Sequence, residues 1–175
     1  MLAPTLNGEG VTLRQLVADD VDPLLAIVSS PAVARWWGPH DRASVEEWLS
    51  DDEETHWTIE IEGKVAGMIQ SSEELGAAFR HAGIDLFLAS DYHGRGLGAQ
   101  TVQLVATWLI GERGHHRLII DPAAANTAAI RSYESVGFRR VGVMRRYWYD
   151  HVEEDWVDGC LLDLLAHELR SPADG

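Results

Sequence analysis

The stretch Ile84-Asp85-Leu86-Phe87-Leu88-Ala89-Ser90-Asp91-Tyr92-His93-Gly94-Arg95-Gly96-Leu97-Gly98-Ala99 constrains the fold of this chain more than any other. An apolar strand runs here into alternating glycines. The residues that follow carry helical periodicity, with Leu97, Thr101, Leu104, Val105 and Trp108 on one face. A strand therefore hands over to a helix through a turn that a ligand can approach closely. The helix start leaves four N–H groups without intrahelical partners and carries about half a positive charge, which suits a phosphate or pyrophosphate. The plainer reading of the glycines alone is a turn that only joins strand to helix.

Three nucleotide readings compete. No Gly-Lys-Ser or Gly-Lys-Thr follows the loop, so a Walker motif is absent. The dinucleotide fingerprint with a final alanine fits Gly94 to Ala99, but that fingerprint opens a βαβ unit, and here a long mixed segment precedes the loop. The third reading adds Leu118-Ile119-Ile120-Asp121-Pro122 and then Asn126-Thr127-Ala128-Ala129-Ile130-Arg131-Ser132-Tyr133-Glu134-Ser135-Val136-Gly137-Phe138. In that order these pieces resemble the acetyl-CoA-binding half of the GNAT-superfamily N-acetyltransferases, over roughly residues 57 to 165. One departure is His93, where the family loop commonly begins with Gln or Arg.

The resemblance implies acetyl-CoA as cosubstrate. Its pyrophosphate would lie on His93, Gly94, Arg95, Gly96, Leu97, Gly98 and Ala99, largely on their backbone amides. Pantetheine would run along Leu86, Phe87 and Leu88, between this strand and the one ending at Asp121, with Asn126 and Arg131 also contacting CoA. Tyr133 would protonate the departing thiolate. Asn126 and Tyr133 are seven apart, so at 3.6 residues per turn they share a helix face. Without the flanking pattern, Tyr133 would read as packing.

The base is expected at Asp85, a carboxylate within Ile84-Asp85-Leu86-Phe87-Leu88 that alternation sends opposite to Ile84 and Leu86. An Asp satisfied by backbone amides is the alternative, and Glu73 and Glu74 on the neighbouring strand are the reserve candidates. No enzyme nucleophile is needed, and Cys160, in an apolar strand, reads as core.

Length and composition fit a single domain, residues 1 to 175, with ordinary shares of hydrophobic (46%) and charged (24%) residues. No apolar run approaches a membrane span and no signal pattern opens the chain, so a cytoplasmic protein with no membrane partner is expected. One cysteine excludes an intrachain disulfide, and no Cys and His cluster has zinc spacing, so no metal is expected; His115 and His116 read as surface residues. The formal charge of −14, from 14 basic and 28 acidic residues, argues against nucleic acid. A negative field instead favours a cationic small-molecule amine.

In chain order the pattern predicts a strand from Val11 to Leu16, a helix capped by Asp19 to about Ser30, and a loop at Arg35-Trp36-Trp37-Gly38-Pro39. Trp36 and Trp37 could be core anchors or a ligand platform. A short helix with Ser44 and Glu47 as its capping box follows. A hairpin then joins Trp57–Ile61 to Val65–Ser71, and a strand spans Ala82 to Ala89. Beyond the loop come a helix to about Gly111, a strand Arg117–Asp121, a helix from Asn126 to Gly137, and strands Phe138–Tyr149 and Trp156–Leu165. The fold class is α/β (α+β), a mixed sheet with helices on both faces. The resemblance adds that the sheet is mostly antiparallel, with a central splayed strand pair.

Trp36-Trp37-Gly38, Gln70-Ser71, Leu75-Gly76, Gly83-Ile84-Asp85 and Asp121-Pro122 are more narrowly similar to aminoglycoside 6′-N-acetyltransferases. That likeness implies Asp85 and Asp121 as aminosugar contacts and the tryptophans as a wall, with Glu73 and Glu74 as further acidic contacts. Arg145-Arg146-Tyr147, Trp156-Val157-Asp158-Gly159 and Leu161 to Glu168 also look like acetyltransferases of ribosomal-protein N-termini. A non-catalytic CoA sensor on the same fold is the non-enzyme alternative, and either a monomer or a homodimer is compatible with the sequence.

Overall fold

The computed structural model describes residues 3–170. Strands β1 (Leu6–Asn7) and β2 (Thr12–Gln15) lead into helices α1 (Val21–Val28), α2 (Pro31–Trp37) and α3 (Arg42–Glu47). A meander of β3 (Glu54–Ile61), β4 (Lys64–Glu74) and β5 (His81–Leu88) follows. Then come α4 (Leu97–Gly111), β6 (Arg117–Ile120), α5 (Thr127–Val136), β7 (Arg139–Asp150) and β8 (Asp155–Leu165). The eight strands form one sheet in the order β1-β2-β3-β4-β5-β6-β8-β7, with every neighbouring pair antiparallel except β5 and β6. This is the mixed α/β GNAT arrangement that the sequence predicts.

Alternation along β5 sorts the two cores. Ile84 and Leu88 face α4 and α5, where they join Trp57, Ile59, Ile69, Val105, Leu109, Ile130, Leu162 and the free Cys160. Phe87 faces the other side and packs with Met68, Val21, Leu24, Val28, Val33 and Val45 beneath α1 to α3. Asp85 shares the Phe87 face, because the strand period is two. Trp57 and Trp108 meet edge to face with centroids 5.3 Å apart, and Trp57 Nε1 donates to the Pro4 carbonyl at 2.8 Å, so this large ring is buried with its polar atom satisfied.

Several local expectations change. Asp20, not Asp19, organises the start of α1: its carboxylate accepts both guanidinium nitrogens of Arg14, at 2.7 and 2.9 Å, the Thr58 hydroxyl at 2.7 Å and the Val17 amide at 3.0 Å. Burial opposes its charge, but these donors hold the carboxyl below the usual range. Helix α1 ends at Val28, before Pro31, but Pro31 opens α2 in its first turn, where a missing N–H costs nothing, so both tryptophans sit on a helix rather than a loop. The cap of α3 is Asp41, which accepts from the Ser44 amide at 2.9 Å while Ser44 Oγ accepts from the Asp41 amide at 3.0 Å, and Glu47 takes no part. His115 is buried rather than on the surface, with Nε2 2.6 Å from Glu73.

The decisive feature is the β5–β6 seam. β4 pairs with β5 from Gly67↔Leu88 to Glu74↔His81, whereas β6 pairs with β5 only at Ala82↔Leu118 and Gly83↔Ile119. Past those two positions the strands separate, and the outer edge of β5 from Ile84 to Leu88 has no strand partner. Gly67 closes the other edge: a Cβ there would lie 2.0 Å from the Phe87 carbonyl oxygen. Because that neighbour is backbone and cannot rotate away, Gly67→Ala is expected to destabilise the fold by at least about 1–3 kcal/mol, the usual cost of overpacking. Urea denaturation of the variant against wild type measures this.

Candidate active site

A cleft of about 990 Å3 opens where β5 and β6 part, bounded by β5, the glycine loop, the start of α4, α5 and the end of β7. Its floor is Leu86 to Leu88, and one end is the loop from Tyr92 to Ala99. Gly94 and Gly96 have φ values of 71° and 76°, a region that disfavours any side chain, and a Cβ at either would meet nothing within 4 Å. The backbone is thus bare toward the cleft. The amides from Gly94 to Ala99 have no acceptor among the described residues; the first helical bond of α4 runs from Gln100 to the Gly96 carbonyl at 3.1 Å. Unpaired donors at the positive end of a 15-residue helix make an anion site that fits a pyrophosphate.

His93 does not present its ring to that site. Its Nε2 donates to the Leu88 carbonyl at 2.9 Å and its backbone amide donates to Ser90 at 3.1 Å, so it ties the loop to the end of β5. Arg95 also turns away, toward Glu62 at 3.5 Å and the Tyr92 ring, and the Leu97 side chain packs on the core. For these three residues only the backbone belongs to the loop surface. Asn126 and Arg131 line the cleft, and Asn126 Oδ1 also caps α5 by accepting from the Ala129 amide at 3.2 Å.

Deeper in the cleft, Asp85 on β5 and Tyr133 on α5 converge from the two faces of the parted sheet. Asp85 is open to the cleft, yet the cleft walls crowd it. Loss of water pushes its carboxyl up to about 7, negative charge at Asp121 and Glu54 acts in the same direction, and the Leu86 amide, donating to Oδ1 at 2.9 Å, opposes both. The phenol of Tyr133 is raised by burial first and then by the charges of Asp85 and Asp121, which keeps it a neutral donor. Its hydroxyl makes no hydrogen bond among the described residues.

The two tryptophans divide the roles that the sequence leaves open. Trp37 packs edge to face on Phe87 at 4.9 Å and donates from Nε1 to the Leu86 carbonyl at 3.1 Å, so it is an anchor that fixes β5. Trp36 sits between the Arg35 guanidinium and the Trp148 ring, at 4.8 and 6.3 Å from its centroid, and forms a wall. Glu73 and Glu74 do not reach the cleft. Glu73 lies at the far end of β4 under Arg113, at 3.1 Å, and His115, which outweigh burial and hold its carboxyl below the usual range. Glu74 accepts the Gly76 amide at 2.6 Å.

Several lining residues escaped the sequence reading, Tyr147 and Trp148 among them. The β7–β8 register shifts between Met144 and Trp148, with Arg146 at a φ of 50°, and this swings Tyr147 over the cleft, where its hydroxyl donates to Asp121 Oδ2 at 2.5 Å. That bond pushes the Tyr147 phenol up to about 12. Gly159 leaves the room, since a Cβ there would be 2.8 Å from the Tyr147 ring. Gly159 facing a tyrosine across the hairpin was the only available sign.

The family description "Acetyltransferase (GNAT) domain" matches residues 11–139. The chain belongs to the GNAT acetyltransferase family. Its acetyl donor is acetyl-CoA, and the chemistry is N-acetylation. Aminoglycoside N(6')-acetyltransferase type 1 of Klebsiella pneumoniae is 28% identical over 159 residues, spanning 80% of this acetyltransferase and 79% of that one. The structure of AAC(6')-Ib in complex with parmomycin and acetyl-CoA superposes with a TM-score of 0.76 at 25% identity, covering 95% of this chain and 100% of the other. The ribosomal-protein-S5-alanine acetyltransferase of Vibrio fischeri superposes at 0.81 with 16% identity, covering 97% and 100%, which is a likeness of fold. Among the described residues no helix is long and apolar enough to cross a membrane.

The Asp85 carboxyl gives a stability test. Its folded value of about 7 lies above the unfolded carboxylate value of 3.8, so between these the folded state holds a proton that the unfolded state releases. Stability from this source is present below pH 4 and lost as pH rises through about 7. Asp85→Asn is therefore expected to raise the melting temperature most at pH 8 and not at pH 4; thermal melts across that range check it, and an equal shift at both ends contradicts it.

Proposed function

We propose that this acetyltransferase acetylates a primary amine of a polycationic small molecule, with the 6′-amine of an aminoglycoside as the substrate the observations favour. The observation that carries this reading is the pair Asp85 and Asp121 at the acceptor end of the cleft, with Glu54 adding to the same negative field. A buried monocation would need one such charge; several suit an acceptor with several ammonium groups. The aromatic wall of Trp36, Trp148 and Tyr147 suits the faces of sugar rings, and the relative at 28% identity acts on aminoglycosides by its name.

Asp85, with a pKa near neutrality, takes one proton from the substrate ammonium, directly or through one water. The freed nitrogen attacks the acetyl carbonyl carbon without an enzyme intermediate. The Leu88 amide, which alternation places on the open edge of β5 with Leu86, stabilises the oxyanion. As the carbon–sulfur bond breaks, Tyr133 gives its proton to the sulfur. The acylated nitrogen then sheds its second proton, which restores the tyrosine through cleft water.

Thiol release from acetyl-CoA with a panel of amines tests the reading: aminoglycosides with a 6′-amine, spermidine, and a peptide with an N-terminal alanine. Turnover is expected for the first group, and turnover of the peptide alone would overturn the substrate assignment. Tyr133→Phe is expected to lower kcat about a hundred-fold or more with acetyl-CoA affinity unchanged. Wild-type kcat in that variant would return Tyr133 to packing.

A further inference from the structure

Behind the acceptor end of the cleft, on the same sheet face as Asp85, lies a cluster whose one part in the acetyl-transfer chemistry is the charge of Glu54. Across β3, β4 and β5 the register places His56 beside Gln70 and Gln70 beside Asp85, so His56 is two strand spacings from Asp85, roughly 10 Å. Glu54 precedes His56 by two residues and shares its face. Asp51 reaches the same point from the loop after α3. Its Oδ1 accepts the amides of Glu53 and Glu54 at 2.8 and 3.3 Å, which fixes the carboxylate and leaves Oδ2 free.

The three free atoms converge. His56 Nε2 is 3.9 Å from Asp51 Oδ2 and 3.7 Å from Glu54 Oε2, both too long for hydrogen bonds, and one ligand atom from each residue fits within 4.8 Å. His56 is only 5% exposed, stacks on Trp48, and its Nε2 has no hydrogen-bond partner. The buried Nε2 thus points at two carboxylate oxygens and is hydrogen-bonded to neither. Such a set is costly unless a cation completes it.

We infer that Asp51, Glu54 and His56 form a divalent-metal site of the zinc type. Tetrahedral zinc with ligands at about 2.0–2.1 Å brings ligand atoms about 3.3 Å apart, so a contraction of about half an ångström from 3.7 and 3.9 Å brings His56 Nε2 to that spacing from each carboxylate. An ammonium with its acceptors at about 2.9 Å spreads them to about 4.7 Å, wider than the 3.9 and 3.7 Å that separate His56 Nε2 from the two carboxylates. The imidazole selects against Mg2+ and Ca2+, which take oxygen ligands. A small cavity lined by Glu47, Ser50 and Gln70 adjoins the carboxylates and admits a water as fourth ligand. At its distance from Asp85 the ion cannot touch the reacting amine; it pins the loop before β3 to the sheet behind the acceptor pocket.

The test is calorimetric titration of Zn2+ into the chelator-stripped full chain, with Co2+ absorption reporting coordination. One Zn2+ per chain is expected. His56→Gln and Glu54→Gln are each expected to weaken it at least tenfold and to remove the rise in melting temperature that Zn2+ gives the wild type, with acetyl-CoA affinity unchanged. If His56→Gln fails to fold, the half-buried Glu54→Gln decides alone. No saturable Zn2+ binding, binding that both variants retain in full, or saturable methylammonium binding in place of Zn2+ overturns the assignment.

Discussion

β5 pairs with β6 at two positions and then parts from it, while its other edge stays bonded to β4 along its whole length. Backbone groups that a sheet would satisfy are thereby held rigidly, some met by the side chains of Trp37, His93 and Asp85 and the rest open to water or a ligand. The remaining site follows from this one break in pairing. The glycine loop continues β5, α4 starts at its end, α5 rises from the β6 side, and Asp85 and Tyr133 meet across the gap because they stand on opposite sides of it. Gly67 and Trp37 hold β5 from behind, the first by allowing close backbone approach and the second through the Leu86 carbonyl.

Charge shapes the acceptor end more than shape does. Asp85 is poised near neutrality because the cleft walls crowd it and the charges of Asp121 and Glu54 oppose its ionisation. On the proposed function, the same acids that attract a polycation also tune the group that takes its proton. Cation binding lowers the cost of those charges. The Asp51, Glu54 and His56 cluster extends the argument one step outward, where the acidic field meets a buried imidazole rather than a substrate.

What could be read from the sequence was local or periodic. The glycine loop, the Asn126-to-Tyr133 helix face, the alternation that exposes Asp85 and the meander before it all follow from short spacings. The failures involve partners distant in the chain. Glu73 reads as an available base until Arg113 and His115, some forty residues on, are seen to engage it. Tyr147 enters through an irregular register that no period announces. Arg35 to Trp37 read as loop, although Pro31 suits the first turn of the helix that carries them. A search for Cys and His spacing also passes over a cation site built from two carboxylates and one histidine.

The central claim is that the open edge of β5 and the glycine loop together hold acetyl-CoA. Hydrogen exchange read by mass spectrometry, with and without acetyl-CoA, tests it most directly. The account predicts slowed exchange at Leu86 to Leu88 and at Gly94 to Ala99 together, with no change at Glu73 to Gly76. Protection that spares the glycine loop, or that gathers at the far end of β4, would contradict it.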